Sequence, residues 1–161
     1  MTPQKLHRFA AILEMFTWTL LIIGMILKYG GVTEAVTPIA GGIHGFGFLC
    51  FAAITITVWI NNKWTFPQGL AGLIVSVIPW AALPFALWAD IKGLVAGGWR
   101  FSDPAETPQN FFDKILAQLV RHPARSILIL LVIIAIVFSI LLAMGPPYDP
   151  DAIADSVSSP Q

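Results

Sequence analysis

Two ionisable residues sit inside long apolar runs of this sequence: Glu14, in RFAAILEMFTW, and His44, in TPIAGGIHGFGF. A carboxyl group and an imidazole can build a proton relay, a metal site or a haem ligand set. Metal ligation lacks its further donors. The other two histidines, His7 and His122, are expected near or beyond the ends of the runs, and Cys50 is more than a helical turn from His44. A closed zinc site takes four nitrogen, sulfur or oxygen ligands, and bis-histidine haem needs a second imidazole at matching depth. No metal, haem or other cofactor is therefore expected. No nucleophile–base arrangement, P-loop or dinucleotide fingerprint is present. GGIHGFG follows no strand and cannot cradle a phosphate. The sequence predicts no enzyme.

What positions Glu14 and His44 is a set of membrane helices. Of 161 residues, 57% are hydrophobic and 11% charged, where a soluble domain carries about 25% charged residues. Mean hydropathy is +0.77. Charge-free stretches cover Met15–Leu27, Ala35–Asn62, Trp64–Ala89 and Ser126–Tyr148, and about 20 apolar residues cross a bilayer as a helix. Four spans are expected, near Arg8–Leu27, Pro38–Ile60, Gln68–Trp88 and Ser126–Met144, in an all-α membrane protein. The first resembles a signal peptide but is followed by no small-residue cleavage site, so it reads as a retained span. Pro79 and Pro84 should kink the third. Net charge is zero, which argues against nucleic acid, and the single Cys50 excludes an internal disulfide.

Between the third and fourth spans, residues 93–123 read as a turn-rich loop and one amphipathic helix, with Thr107 as N-cap, Pro108 in the first turn and Pro123 as the stop. Phe111, Phe112, Ile115, Leu116, Leu119 and Val120 form one apolar stripe, opposite Asp113, Lys114, Gln118 and Arg121. Such a helix lies in the membrane interface or packs on a neighbouring subunit. Residues 145–161, GPPYDPDAIADSVSSPQ, have the composition of a disordered acidic tail that a partner would have to order. Three basic residues on one side against six on the other favour both termini outside the cytoplasmic membrane of a bacterium.

Residues 8–92 resemble the YdzA-like family of small bacterial integral membrane proteins, a domain of unknown function. The resemblance rests on Arg8 through Glu14 (RFAAILE), Leu27-Lys28-Tyr29, His44-Gly45, Lys63-Trp64, and Pro84-Phe85 ahead of Asp90 and Lys92. Met15 departs from the family's glycine after the Glu, and the basic cluster after the third span is thin. The resemblance implies a three-helix membrane domain over residues 1–92 and no activity. The fourth span, over 124–144, lies outside it.

Depth arithmetic separates the two ionisable groups. At 1.5 Å per residue, Glu14 lies ~9 Å in from Arg8 and His44 ~9 Å in from Pro38 on the opposite face. A core ~30 Å thick leaves ~12 Å between them, so they are not expected to pair. Glu14 should instead meet Thr55, Thr57, Ser76 and Ser139, with Arg8 reaching up towards it. It would serve as a proton-accepting site or a helix-locking hydrogen bond. His44 should satisfy the Trp80 carbonyl freed by Pro84, where Gly41 and Gly45 let helices approach, and would brace helices or relay protons. The function expected is a non-catalytic accessory subunit of a larger membrane complex, with a respiratory cytochrome bc/oxidase supercomplex as the specific expectation. Its partners would be lipids and other subunits, reached through helix faces and the tail. A small transporter or proton-conducting protein using Glu14 and His44 is the alternative.

Overall fold

The computed structural model describes residues 1–144; the acidic tail expected over 145–161 lies outside the described residues. The described chain forms six α-helices. Helix α1, Pro3–Tyr29, starts where the Thr2 hydroxyl accepts from the Lys5 amide, with Pro3 in the first turn where no amide partner is needed. It ends as the Gly30 amide donates to the Ile26 carbonyl at 2.8 Å. Helix α2, Val36–Asn62, closes on Lys63 in the left-handed region, φ 51°.

The two helices pack antiparallel along stripes of small and polar residues. On α1 the buried positions are Pro3, His7, Ala10, Ala11, Glu14, Thr17 and Gly24. On α2 they are Ala40, Gly47, Phe51, Thr55, Val58 and Asn61. Spacings of three and four keep each set on one helix face. The large aliphatic side chains point outward, as suits a helix whose solvent is lipid. Register is fixed at the far end. There Thr37 donates to the Gly24 carbonyl at 2.9 Å, and a Cβ on Gly24 would sit 3.2 Å from the Thr37 Cα.

Helices α1, α2 and α6 (Pro123–Met144) are long and apolar enough to cross a membrane. The expected third span is not a single helix. It divides into α3, Phe66–Ile74, a short 3₁₀ turn over Val75–Val77, and α4, Ala82–Ile91. The cause is Pro79. Its ring pushes the preceding residue out of the helical region, and Ile78 is extended, φ −101° and ψ 120°. Trp80 follows at φ 61°. Pro84, expected to kink a helix, falls in the first turn of α4, where a missing amide breaks nothing.

The break reverses the chain. α3 begins beside Trp59, whose indole lies against Gly69. It rises to Ser76, whose carbonyl accepts from Trp18 Nε1 at 3.1 Å, and at the tip Trp80 Nε1 donates to Thr19 at 2.9 Å. α4 then descends. Ala82 and Ala86 pack with Ala10, Ala11 and Phe51. Lower down, Ala89 packs with Val58, Trp64 and Val95. Asp90 is ion-paired with Arg8, and Trp64 Nε1 donates to the Leu94 carbonyl at 2.6 Å. Both feet of the α3–α4 hairpin therefore stand at the Trp64 end of the molecule.

The segment expected as a turn-rich loop is pinned at that same end. Asn61 accepts from the Arg100 amide and donates to the Gly98 carbonyl, while Arg100 reaches the Ile60 carbonyl and Asp113. Helix α5, Phe111–Arg121, is capped by Asn110, which accepts from the Asp113 amide at 2.8 Å. Thr107 is therefore not the cap, and the helix starts three residues later than expected. Leu116 and Ala117 turn inward onto Phe101. Phe111, Phe112 and Ile115 are exposed. α6 starts at the Trp64 end and reaches the far half of α2, where Phe138 packs on Phe46 and against Gly45. Met1, whose carbonyl accepts from Trp99, and Met144 thus lie at opposite ends. They do so because α3–α4 returns to the end it left.

Candidate functional site

Glu14 and His44 meet. The Glu14 Oε1 is 3.8 Å from His44 Nδ1, and Glu14 is almost completely buried. The two helices overlap further than two ends set ~30 Å apart would allow. With Thr37 level with Gly24, only ~24 Å of α1 separates the level of Arg8 from that of Thr37. His44 then falls level with Thr17, one turn above Glu14, within side-chain reach.

Thr17 is the third member. Its Oγ1 lies 3.0 Å from the Glu14 carbonyl, 3.1 Å from His44 Nδ1 and 3.5 Å from Glu14 Oε2. One hydroxyl carries one proton and cannot donate to all three. If it donates to the carbonyl, His44 Nδ1 must carry a hydrogen and donate to Thr17. If it donates to His44, the carbonyl loses its bond. Gly47 provides the room, since a Cβ there would lie 3.2 Å from Thr17 Cγ2 and 3.5 Å from Glu14 Oε2. Trp18 closes the other side, its ring centroid 4.3 Å from that of His44. Through its bond to the Ser76 carbonyl, the same indole ties the cluster to the hairpin tip.

Among the described residues, the other expected neighbours make no hydrogen bond to Glu14, and the buried Thr55 hydroxyl has no partner at all. Thr57, Ser76 and Ser139 donate to the carbonyls of Ala53, Leu73 and Ala135, as hydroxyls on apolar helices commonly do. Thr55 faces Gly72 of α3. Arg8 turns to Asp90, with its Nε 3.0 Å from Oδ2, and does not reach Glu14. His44 does not serve the Trp80 carbonyl, because α4 begins after Trp80 and Pro84 frees no acceptor. Gly41 and Gly45 do not share a partner helix: Gly41 faces Leu21 of α1 and Gly45 faces Phe138 of α6.

His7 was missed. It is fully buried, and neither ring nitrogen has a hydrogen-bond partner. Its ring stacks on Phe51 at 5.8 Å, with the edges of Trp64 and Phe85 close by. The available signal was spacing: His7, Glu14 and Thr17 recur on the same three-and-four stripe as Ala10 and Gly24. Among the described residues, no three of His, Cys, Asp and Glu converge as metal ligands do.

Comparison with known proteins places the cluster in a family. A Streptomyces coelicolor protein whose name describes it as a membrane protein is 34% identical over 111 residues, covering 66% of this chain and 13% of that relative. This chain thus corresponds to a small part of that relative's length. No solved structure matches. The family model described as a domain of unknown function, DUF3817, matches residues 4–90, a stretch that holds Glu14, Thr17, His44 and the α3–α4 hairpin almost to its end. With more than half of its length in that match, the chain belongs to the DUF3817 family.

Proposed function

We propose that this protein is a non-catalytic helical module of a larger membrane assembly. The observation that carries this reading is the 13% share of the Streptomyces relative, where the matching segment forms one part of a much longer membrane protein. The same module here would pack against further membrane helices, whichever chain supplies them. Two outward surfaces suit the role. Almost none of α6 is buried, and α5 presents Phe111, Phe112 and Ile115 outward while Leu116 faces in. A respiratory cytochrome bc/oxidase supercomplex is the first host to test. Kinship with the YdzA-like proteins within the family belongs to the same proposal.

We further infer three crossings and a re-entrant α3–α4 hairpin, rather than four spans, in the bacterial cytoplasmic membrane. On that arrangement Lys5, Arg8, Lys63, Lys92, Arg100, Lys114, Arg121 and Arg125 lie at the Trp64 end, and Lys28 alone lies at the other. Basic residues concentrate on the cytoplasmic side. The N-terminus is therefore cytoplasmic and α6 runs outward.

Two experiments test these readings. Photo-crosslinking from Ile133 and Leu128 of α6, with purification in mild detergent, should yield a defined protein adduct in a larger complex; a monomer crosslinked to lipid alone refutes the module reading. In a Cys50→Ser background, Lys63→Cys and Lys92→Cys should both resist an impermeant maleimide until cells are permeabilised, and Thr33→Cys should react from outside. Opposite accessibility at Lys63 and Lys92 restores the four-span arrangement. The Glu14–His44 contact favours one second reading, a proton-conducting protein. Glu14→Gln separates the two, since it leaves assembly intact under the first and abolishes proton flux under the second.

A further inference from the structure

We propose that Glu14 and His44 hold one exchangeable proton between them within the membrane, forming a proton-binding site closed by Thr17 and Trp18. This goes beyond the assembly reading and does not depend on it. The site is built from facing stripes of α1 and α2, and Glu14 Oε1, wholly buried and without a hydrogen-bond partner, is the atom turned towards His44 Nδ1. An ionised carboxylate left unpaired in such surroundings is costly. Among the described residues, no lysine or arginine forms an ion pair with Glu14. Neutralisation therefore falls to a proton.

Among the described residues, further titratable groups stand on the helices around the pair. α1 contributes His7, two turns below and caged by aromatic rings, and Arg8, held by Asp90 of α4. α2 contributes His44 itself and Cys50, more than a helical turn further along the same helix. With one proton present, two arrangements balance. In the first, Glu14 Oε1 carries the hydrogen and His44 Nδ1 accepts, whether from Thr17 or from Glu14. In the second, the proton has moved from Oε1 to Nδ1, leaving a carboxylate beside an imidazolium whose charge is stabilised by the Trp18 ring. The Thr17 hydroxyl rotates between the Glu14 carbonyl and His44 Nδ1 to match. Neither arrangement changes the net charge of the pair, but the second separates charge in buried surroundings, so the first is the resting arrangement and the second depends on the attraction between the two groups and on the Trp18 ring.

The test is covalent trapping of the protonated acid. Dicyclohexylcarbodiimide is apolar and reacts with protonated carboxyl groups: the acid gives its proton to a carbodiimide nitrogen, the carboxylate oxygen adds to the central carbon, and the adduct rearranges to an N-acylurea. Full-length protein in phosphatidylcholine vesicles should acquire one adduct, mapped by mass spectrometry to the Glu14 peptide. The labelling should fall as pH rises, and Glu14→Gln should abolish it. A water-soluble carbodiimide should leave the residue untouched. His44→Phe should shift the pH at which labelling falls, and Thr17→Val should shift it less. Wild-type protein unlabelled at Glu14 at every pH refutes the site, and needs no variant to fold. Labelling indifferent to pH and to His44 reduces the contact to helix packing and equally overturns the proposal.

Discussion

The Arg8–Asp90 ion pair offers the most direct examination of the chain reversal at Pro79. Arg8 sits at the start of α1 and Asp90 near the end of α4; they pair only because α4 descends to the end from which α3 rose. In a four-span arrangement the two would lie on opposite faces, ~30 Å apart, well beyond a Debye length of about 10 Å. The Asp90 side chain is 9% exposed and that of Arg8 45%, so the pair stands between two regimes. Exposed pairs couple by about 0.2–1 kcal/mol, and stripping the partner from a buried charge costs about 3–5 kcal/mol. A coupling of about 1–2 kcal/mol is expected. For the described 144 residues, an unfolding entropy of about 2.1 cal/mol/K per residue makes this ~3–7 °C in Tm. The assay is a double-mutant cycle of Arg8→Ala, Asp90→Ala and the pair, followed by circular dichroism melts in detergent at low and high salt. Each single variant should lose stability, the double should lose less than their sum, and salt should shrink the difference. Losses that add to within about 0.5 kcal/mol would mean that the two side chains do not touch, and the re-entrant hairpin would fall with them.

Other perturbations have equally definite outcomes. Gly69→Ala would place a Cβ 2.0 Å from the Trp59 ring, so overpacking should cost about 1–3 kcal/mol in melts; Gly98→Ala, with nothing near its Cβ, should change little. Trp64→Phe loses the bond to the Leu94 carbonyl and should cost about 1 kcal/mol, whereas Trp64→Ala also empties the packing around Val58 and Ala89 and should cost about 3–5 kcal/mol. Asn61→Ala removes the bonds to Gly98 and Arg100, so the Arg100 amide should exchange its hydrogen faster and the 96–106 segment should become sensitive to protease while the α1–α2 pair keeps its protection.

Membrane residence, helical class and the three helices long and apolar enough to cross a membrane were legible in the sequence because a bilayer demands long uninterrupted apolar runs, and α1, α2 and α6 fall close to where hydropathy put them. The amphipathic α5 was legible too, apart from its cap. Proline placement also carried a true signal, though its consequence was misjudged: Pro79 reverses the chain where a kink was expected, and only the contacts of Trp18, Trp80 and Asp90 determine which way the chain continues. The Glu14–His44 pairing turned on helix register, which depends on how closely Gly24 admits Thr37. An error of about five residues in the assumed register turned a true offset of ~4.5 Å into an expected ~12 Å, while the facing stripes of small and polar residues, His7 among them, were present in the sequence and went unread. Hydropathy is a local property, summed along one helix. Register, chain reversal and the meeting of Glu14 with His44 depend on contacts between residues up to 82 positions apart, and those were decided only when the helices packed.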